Sequence, residues 1–260
     1  MSELPEATRE ACLAIAALLR DAAHIVALSG AGISTESGIP DFRGPQGVWT
    51  KDPEAEKRAT LQHYMANRDA RVRAWQGRRE SPLFSAEANA GHRALAEIAA
   101  HTRFDLLVTQ NIDGLHQKGG FPAERVVEIH GTVHEFTCMG CGERGDIHRV
   151  IARVEAGEED PPCRTCGGIL KSATISFGQQ LVASDLERAM DAASRADVFL
   201  AIGTTLGVYP AANMPIAALQ AGARLVILNA QPTPFDEYAS IIVREPLGEV
   251  LPLIASALRD

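Results

Sequence analysis

The sequence predicts an α/β protein, a doubly wound parallel sheet that carries a small four-cysteine lobe and a helical flap. Three observations predict it. Short apolar runs alternate with helical stretches, the pattern of strands joined by covering helices. Each run ends in glycine, amide or hydroxyl residues. Four of the five cysteines fall into two C-x-x-C pairs within one stretch.

Taken in order, residues 5–22 carry Cys12, Ala16 and Leu19 near one helical face, and Cys12 reads as a buried helix residue. His24 to Leu28 is a short buried strand that runs into Ser29-Gly30-Ala31-Gly32. Asn89–Ala100 is helical and precedes a second strand, Phe104–Val108. Val126–Ile129 is a further strand. Ser184–Ser194 and Ala211–Ala221 are helices, and Asp197–Ile202 and Arg224–Leu228 are strands. Strands alternating with helices imply a parallel sheet covered on both faces. Residues 44–82 are charged and weakly periodic, a helical or mobile flap. Residues 132–172 form a separate lobe, which leaves 1–131 and 173–260 as the main domain.

The bulk numbers narrow the class. With 260 residues, 46% hydrophobic and 22% charged, the chain is an ordinary globular protein. A net charge of −8 argues against a free-standing nucleic-acid binder, which needs a basic footprint. No apolar run reaches the roughly 18 residues of a membrane span. Glu3, Glu6 and Glu10 fit neither a secretory signal nor a mitochondrial presequence, so a cytoplasmic location is expected. Oligomeric state leaves no signal.

After the first strand comes Gly30-Ala31-Gly32-Ile33-Ser34-Thr35-Glu36-Ser37-Gly38-Ile39-Pro40-Asp41-Phe42-Arg43-Gly44. Glycines here allow a sharp turn and a close approach to a pyrophosphate, although many strand-to-helix turns carry them for steric reasons alone. Asp41-Phe42-Arg43 is more than a turn requires. The third glycine and distant acidic residue of the usual dinucleotide fingerprint are missing. The expectation is a Rossmann-like site built differently.

Cys138-x-x-Cys141 and Cys163-x-x-Cys166 have the spacing of a zinc ribbon. Disulfides suit a cytosolic chain poorly, and a redox C-x-x-C would not need two copies. Four thiolates close a tetrahedron, so the expected zinc is structural, not catalytic. Thr109-Gln110-Asn111-Ile112-Asp113-Gly114-Leu115-His116 follows the second strand; Asn and Asp there are either helix caps or ligand-holding groups. His130-Gly131 follows the strand Val126–Ile129.

These segments, with Gly203-Thr204-Thr205 and a strand ending in Asn229, occur in one order, and from about Ala23 onward the chain resembles the sirtuin family. The resemblance implies an NAD-dependent deacylase. Such an enzyme removes acyl groups, acetyl foremost, from protein lysines and yields nicotinamide and O-acyl-ADP-ribose. His130 matches the general base, and an imidazole titrating near neutrality suits proton removal from a ribose hydroxyl. Gln110, Asn111, Ile112 and Asp113 match residues at the nicotinamide and its ribose, with Asn111 and Asp113 counted as catalytic beside His130. Gly30, Ala31, Gly32, Thr35, Asp41, Phe42 and Arg43 match the cofactor loop. Gly203, Thr204, Thr205, Asn229, Gln231 and Leu247 match the adenosine half. Phe177, Gly178 and Val208 match the segments that clamp an acyl-lysine peptide as an added strand. Gln179 stands where the family often has Glu. His116 and His134 match no catalytic position.

The family's dicarboxylic-acyl enzymes carry Tyr-x-x-Arg ahead of Asn-Ala-Gly-His. Here Asn89-Ala90-Gly91-His92 is preceded by Trp75-Gln76-Gly77-Arg78, so Arg78 either meets a carboxylate or is a solvated charge, the plainer reading. Protein mono-ADP-ribosyl transfer, or removal of longer acyl groups, would use the same NAD site. A nucleotide sensor without activity is disfavoured by the intact Asn111, Asp113 and His130 set.

Overall fold

The computed structural model describes residues 4–41, 44, 47–52 and 59–259. Phe42 and Arg43, both expected at the cofactor site, lie outside the described residues. In chain order the strands are β1 (Ile25–Ser29), β2 (Phe104–Thr109), β3 (Val126–Glu128), β4 (Gly131–Cys138), β5 (Arg144–Asp146), β6 (Leu170–Thr174), β7 (Val198–Ile202), β8 (Arg224–Leu228) and β9 (Ala239–Val243). The helices are α1 (Glu6–Asp21), α2 (Val48–Lys51), α3 (Leu61–Ala66), α4 (Arg68–Arg79), α5 (Ala90–His101), α6 (Leu115–Lys118), α7 (His148–Glu155), α8 (Ala183–Ala193), α9 (Met214–Gln220) and α10 (Leu247–Arg259).

Six strands form a parallel sheet in the order β3-β2-β1-β7-β8-β9. Every residue of β1 and β7 is buried, as a sheet covered on both faces requires. One apolar core joins the sheet to α1, α5 and α10, and includes Leu19, Leu95, Leu107 and Ile254. The other joins it to α8 and α9 through Leu28, Phe199, Met214 and Ile227. Each fully buried Leu or Ile contributes roughly 1.5–3 kcal/mol relative to exposure. Cys12 has no exposed surface, as expected, and burial pushes its thiol up to about 11. The strand order reverses between β1 and β7, and at such a switch point the carboxyl-end loops part to leave a crevice.

β9 and α10 extend the expected fold. β9 is an edge strand with mostly half-buried residues, and α10 carries Pro252 inside it, so neither gives a clean periodic signal.

The small lobe is an antiparallel sheet, β5-β4-β6, packed on α7. Its core contains Phe136, Ile147, Val150 and Leu170, together with Trp75 from α4. The flap is helical where described, and it is bolted to this lobe. Arg71 Nε donates to Asp160 Oδ2 (2.9 Å), and its Nη1 caps α3 by donating to the carbonyls of Tyr64 and Met65. The Tyr64 hydroxyl donates to the Leu170 carbonyl (2.8 Å). Arg78 corrects the solvated-charge reading. It is partly buried against β6, its Nη2 donates to Ser172 Oγ (3.1 Å), and burial lowers its pKa. Among the described residues no helix is long and apolar enough to cross a membrane.

Candidate active site

The crevice is built on two opposed turns. Gly32 follows β1, Gly203 follows β7, and the Gly32 N–H donates to the Gly203 carbonyl (2.9 Å). A Cβ on Gly32 would lie 2.7 Å from Gly203 Cα, and one on Gly203, whose φ is +60°, would lie 2.5 Å from the Ile33 nitrogen. Only glycine lets the backbones approach so closely. The Gly30 N–H donates to the Ile202 carbonyl, and the Gly203 N–H to the Leu228 carbonyl. The carboxyl ends of β1, β7 and β8 are therefore locked in one row.

The polar segment after β2 plugs into that row. The Gln110 N–H donates to the Ser29 carbonyl (2.9 Å), and its side-chain Nε2 reaches across β1 to Thr204 Oγ1 (2.8 Å). Asn111 is 8% exposed. Its Nδ2 donates to the Gly30 carbonyl (3.0 Å) and to Ser34 Oγ (3.2 Å). The Ser34 hydroxyl donates to Asp113 Oδ2 (2.7 Å), while Asp113 Oδ1 accepts from the Leu115 N–H and so caps α6. Asn111 and Asp113 thus brace the loop and the start of α6, and Asn111 Oδ1 takes no partner among the described residues.

His130 lies at the junction of β3 with the small lobe. The Ile129 N–H donates to the Thr109 carbonyl, and the Ile175 N–H to the His130 carbonyl (2.7 Å). Gly131 must be glycine, since its φ is +73° and a Cβ would fall 2.1 Å from the Ala173 carbonyl oxygen. The His130 ring sets Nδ1 3.1 Å from the Gln110 carbonyl. A carbonyl only accepts, so Nδ1 carries the proton and Nε2 keeps a lone pair. Burial lowers the His130 pKa, with the Gln110 contact partly opposing it. The ring is therefore neutral at neutral pH, the state a base needs.

Other expected residues are placed less centrally. Thr35 is exposed and its hydroxyl donates to the Gly32 carbonyl. Asp41 Oδ1 accepts from the Gly44 N–H. Ala31 and Thr205 are half-buried on the two turns, and the Ile112 carbonyl accepts from the Val133 N–H. Asn229 is buried after β8, and its Nδ2 donates to the Gln231 carbonyl. Leu247 is buried at the start of α10, where the Gly248 N–H donates to Glu36 Oε1 (2.9 Å) and ties that helix to the glycine-rich loop. Phe177 pairs with the flap: its N–H donates to the Ala59 carbonyl, and its carbonyl accepts from the Leu61 N–H (2.9 Å). Gly178 (φ +78°) and half-buried Val208 have no such pairing with each other.

Several residues of this network carried no role in the sequence reading. Ser34 links Asn111 to Asp113, and Arg244 Nη1 holds the carbonyls of Asn229 and Gln231. Buried His116 shares its Nε2 with Ser29 Oγ (2.8 Å), which donates to Thr109 Oγ1, and that oxygen accepts from the Asn111 N–H. His134 Nε2 donates to the Asp113 carbonyl (2.8 Å). The only sequence signal for Ser34 was its place inside the glycine-rich run.

The four cysteine Sγ atoms lie within 4.8 Å of one another. Cys138–Cys166 and Cys141–Cys163 are 3.5 and 3.8 Å apart, close to the roughly 3.8 Å edge of a tetrahedron with Zn–S bonds of about 2.3 Å. N–H groups of Gly140 and Cys141 point at Cys138 Sγ. The cluster fits a zinc ion with no position left open. β4 separates Cys138 from Gly131 by about 23 Å at ordinary strand rise, so this metal is structural.

The fold and site define a class: a Rossmann-like α/β protein with a zinc lobe inserted beside a glycine-lined crevice and a neutral histidine. The family described as Sir2 matches residues 30–210, and the chain belongs to the Sir2 family. It is 49% identical over 234 residues to NAD-dependent protein deacetylase 2 of Streptomyces coelicolor, covering 90% of this chain and 97% of that one. It is 41% identical to the NAD-dependent protein deacetylase of Rhodopseudomonas palustris, covering 90% and 92%. Among solved structures, a Sir2 protein with a deacetylated peptide and acetyl-ADP-ribose matches with a TM-score of 0.86 and 32% identity, covering 94% of this chain and 96% of that one. A Sir2–peptide–NAD complex matches with a TM-score of 0.83 and 32% identity, with the same coverage.

Proposed function

We propose that this chain is an NAD-dependent protein-lysine deacylase acting foremost on acetyl-lysine, with His130 as its general base. The observation that carries the assignment is the His130–Gln110 contact, which leaves a neutral imidazole whose Nε2 takes no partner among the described residues, beside the Asn111 network. Relatives named as protein deacetylases support the acetyl preference.

The residues fit the cofactor. Gly30, Ala31, Gly32 and Thr35 would line its phosphates, with Asp41, Phe42 and Arg43 following in the loop. Gly203, Thr204, Thr205, Asn229, Gln231 and Leu247 would take the adenosine half. Gln110, Asn111, Ile112 and Asp113 would hold the nicotinamide ribose. When bound, NAD supplies the ADP-ribosyl group that accepts the acyl group as nicotinamide departs. His130 Nε2 accepts the proton released from the ribose hydroxyl. Asn111 Oδ1 presents a dipole whose direction is fixed by the two hydrogen bonds of Nδ2, a preorganised arrangement that costs no rearrangement during reaction.

Phe177 pairs with residues 59–61, and Gly178 turns the chain directly after it (φ +78°), at the position where a peptide flanked by Val208 would lie. Arg78, held against Ser172, supports a neutral acyl group over a dicarboxylic one.

Nicotinamide release from NAD, measured with acetylated and with unmodified peptides, tests the assignment. Release should depend on the acetylated peptide and yield free lysine. No release with acetyl, succinyl or long-chain acyl peptides would overturn it.

A further inference from the structure

A second cavity, of about 520 Å³, opens at the amino ends of β1 and β2. The crevice of the active site lies at the opposite, carboxyl ends of the same strands. The cavity is lined by four arginines, Arg103, Arg125, Arg188 and Arg195, with His24 and only two carboxylates, Asp105 and Asp191. Both carboxylates are engaged. Asp191 Oδ2 pairs with Arg195 (2.8 Å), and Asp105 Oδ2 lies 2.7 Å from His24 Nδ1.

Arg103, Arg125 and Arg188 therefore face the cavity without a carboxylate partner among the described residues. Two of them are held in place. Arg125 Nη1 donates to the Phe104 carbonyl (3.4 Å), and Arg188 Nη2 donates to the carbonyl of Glu124, the residue beside Arg125. The last contact anchors Arg188 to the backbone next to Arg125, and both side chains line the cavity. This happens in a chain with 33 acidic residues and 25 basic ones, where random placement would favour carboxylate neighbours. Each guanidinium has five donors, of which Arg125 and Arg188 each use one on a carbonyl, so paired donors remain for a planar or tetrahedral oxyanion. The volume falls in the range of small-molecule sites, about 300–1,000 Å³.

We propose that this arginine-lined cavity binds a small phosphorylated compound carrying at least three negative charges, at a site separate from the NAD crevice. Charge-assisted guanidinium–phosphate bonds supply its recognition. Asp105 and Asp191 limit it to ligands that meet the Arg103, Arg125 and Arg188 side.

Calorimetric titration of tripolyphosphate into the zinc-loaded protein, at low salt and with ADP-ribose saturating the NAD crevice, tests it. One-site binding is expected. Arg125→Gln with Arg188→Gln should weaken it by about tenfold or more, the effect of roughly 1.4 kcal/mol, with ADP-ribose affinity unchanged. Arg103→Gln, at an exposed side chain with no partner among the described residues, should weaken it too and serves if the double variant does not fold. No binding to the wild type, or binding unchanged in these variants, overturns the site. Equal binding of citrate overturns its assignment to phosphate.

Discussion

His130 Nδ1 and the Gln110 carbonyl oxygen lie 3.1 Å apart, and this one contact selects the tautomer that leaves Nε2 as the proton acceptor. Burial holds the His130 pKa below its ordinary value of 6.5. As the proposed base, the ring would stay active to lower pH than a free imidazole. The acid limb of kcat/KM should have its midpoint below pH 6.5, and His130→Ala should lose activity by about 10²–10⁴-fold with an unchanged far-UV spectrum. A midpoint above 6.5 that vanishes in His130→Ala would show that the ring is charged, not neutral, in the free enzyme.

Ser34 is the hinge of the Asn111–Asp113 pair. Ser34→Ala removes the donor to Asp113 Oδ2 and an acceptor from Asn111 Nδ2. Asp113 is only 3% exposed, so water cannot readily replace the lost bond. Unfolding free energy should fall by about 1–3 kcal/mol, and kcat should fall with it because Asn111 loses its fixed direction. Denaturant titration and nicotinamide release read the two effects, and wild-type values for both would remove Ser34 from the network.

The paired imidazoles behind the crevice make the fold acid-sensitive. His92 and His116 rings meet at 5.1 Å, and burial lowers their pKa values to about 4 and about 3. A base whose folded pKa is depressed gives stability that is full above its unfolded pKa and is lost as pH falls. That window runs from about 6.5 down toward 4. Between pH 7 and pH 5 the protein should lose a few kcal/mol, seen as a falling Tm, and His116→Gln should flatten the profile. An equally steep profile in that variant would place the acid sensitivity elsewhere.

Zinc removal should act on the flap as well as the lobe. Cys138 and Trp75 share one small core, and losing the metal removes the thiolate cross-link that closes it. A strong chelator should red-shift tryptophan emission and lower Tm before the main sheet unfolds. Added zinc should reverse both changes.

Arg71 connects the lobe to the substrate side. Its pair with Asp160 is shielded, with side chains 11% and 16% exposed, and α3, whose last carbonyls it caps, follows directly on residues 59–61 that pair with Phe177. Arg71→Met leaves the partly buried Asp160 carboxylate without its cation, at a cost below the roughly 3–5 kcal/mol of a fully buried pair. Steady-state kinetics should show KM for the acetylated peptide rising more than KM for NAD. Equal rises would mean general loosening.

Much of this protein was legible in its sequence because strands β1, β2, β7 and β8 are short, largely apolar runs, and helices α1, α5 and α8 are amphipathic. Such signals are local. The four cysteines were equally plain, since a C-x-x-C turn sets two thiolates side by side without help from the rest of the chain. β9 and α10 escaped because an edge strand is buried by only one neighbour and Pro252 interrupts the helical pattern.

The sequence by itself determined the order of elements, the zinc ligands and the set of polar residues at the strand ends. Only the tertiary structure decided how those residues face one another: Gln110 turning one atom to Thr204 and another to His130, Ser34 joining Asn111 to Asp113, Arg78 folded against Ser172. It also gathered Arg103, Arg125 and Arg188, which stand on three separate segments, around one cavity. The physical reason is range. Periodicity and turn chemistry act over a few residues, whereas hydrogen bonds and charge interactions between distant segments exist only once the sheet has aligned its strand ends.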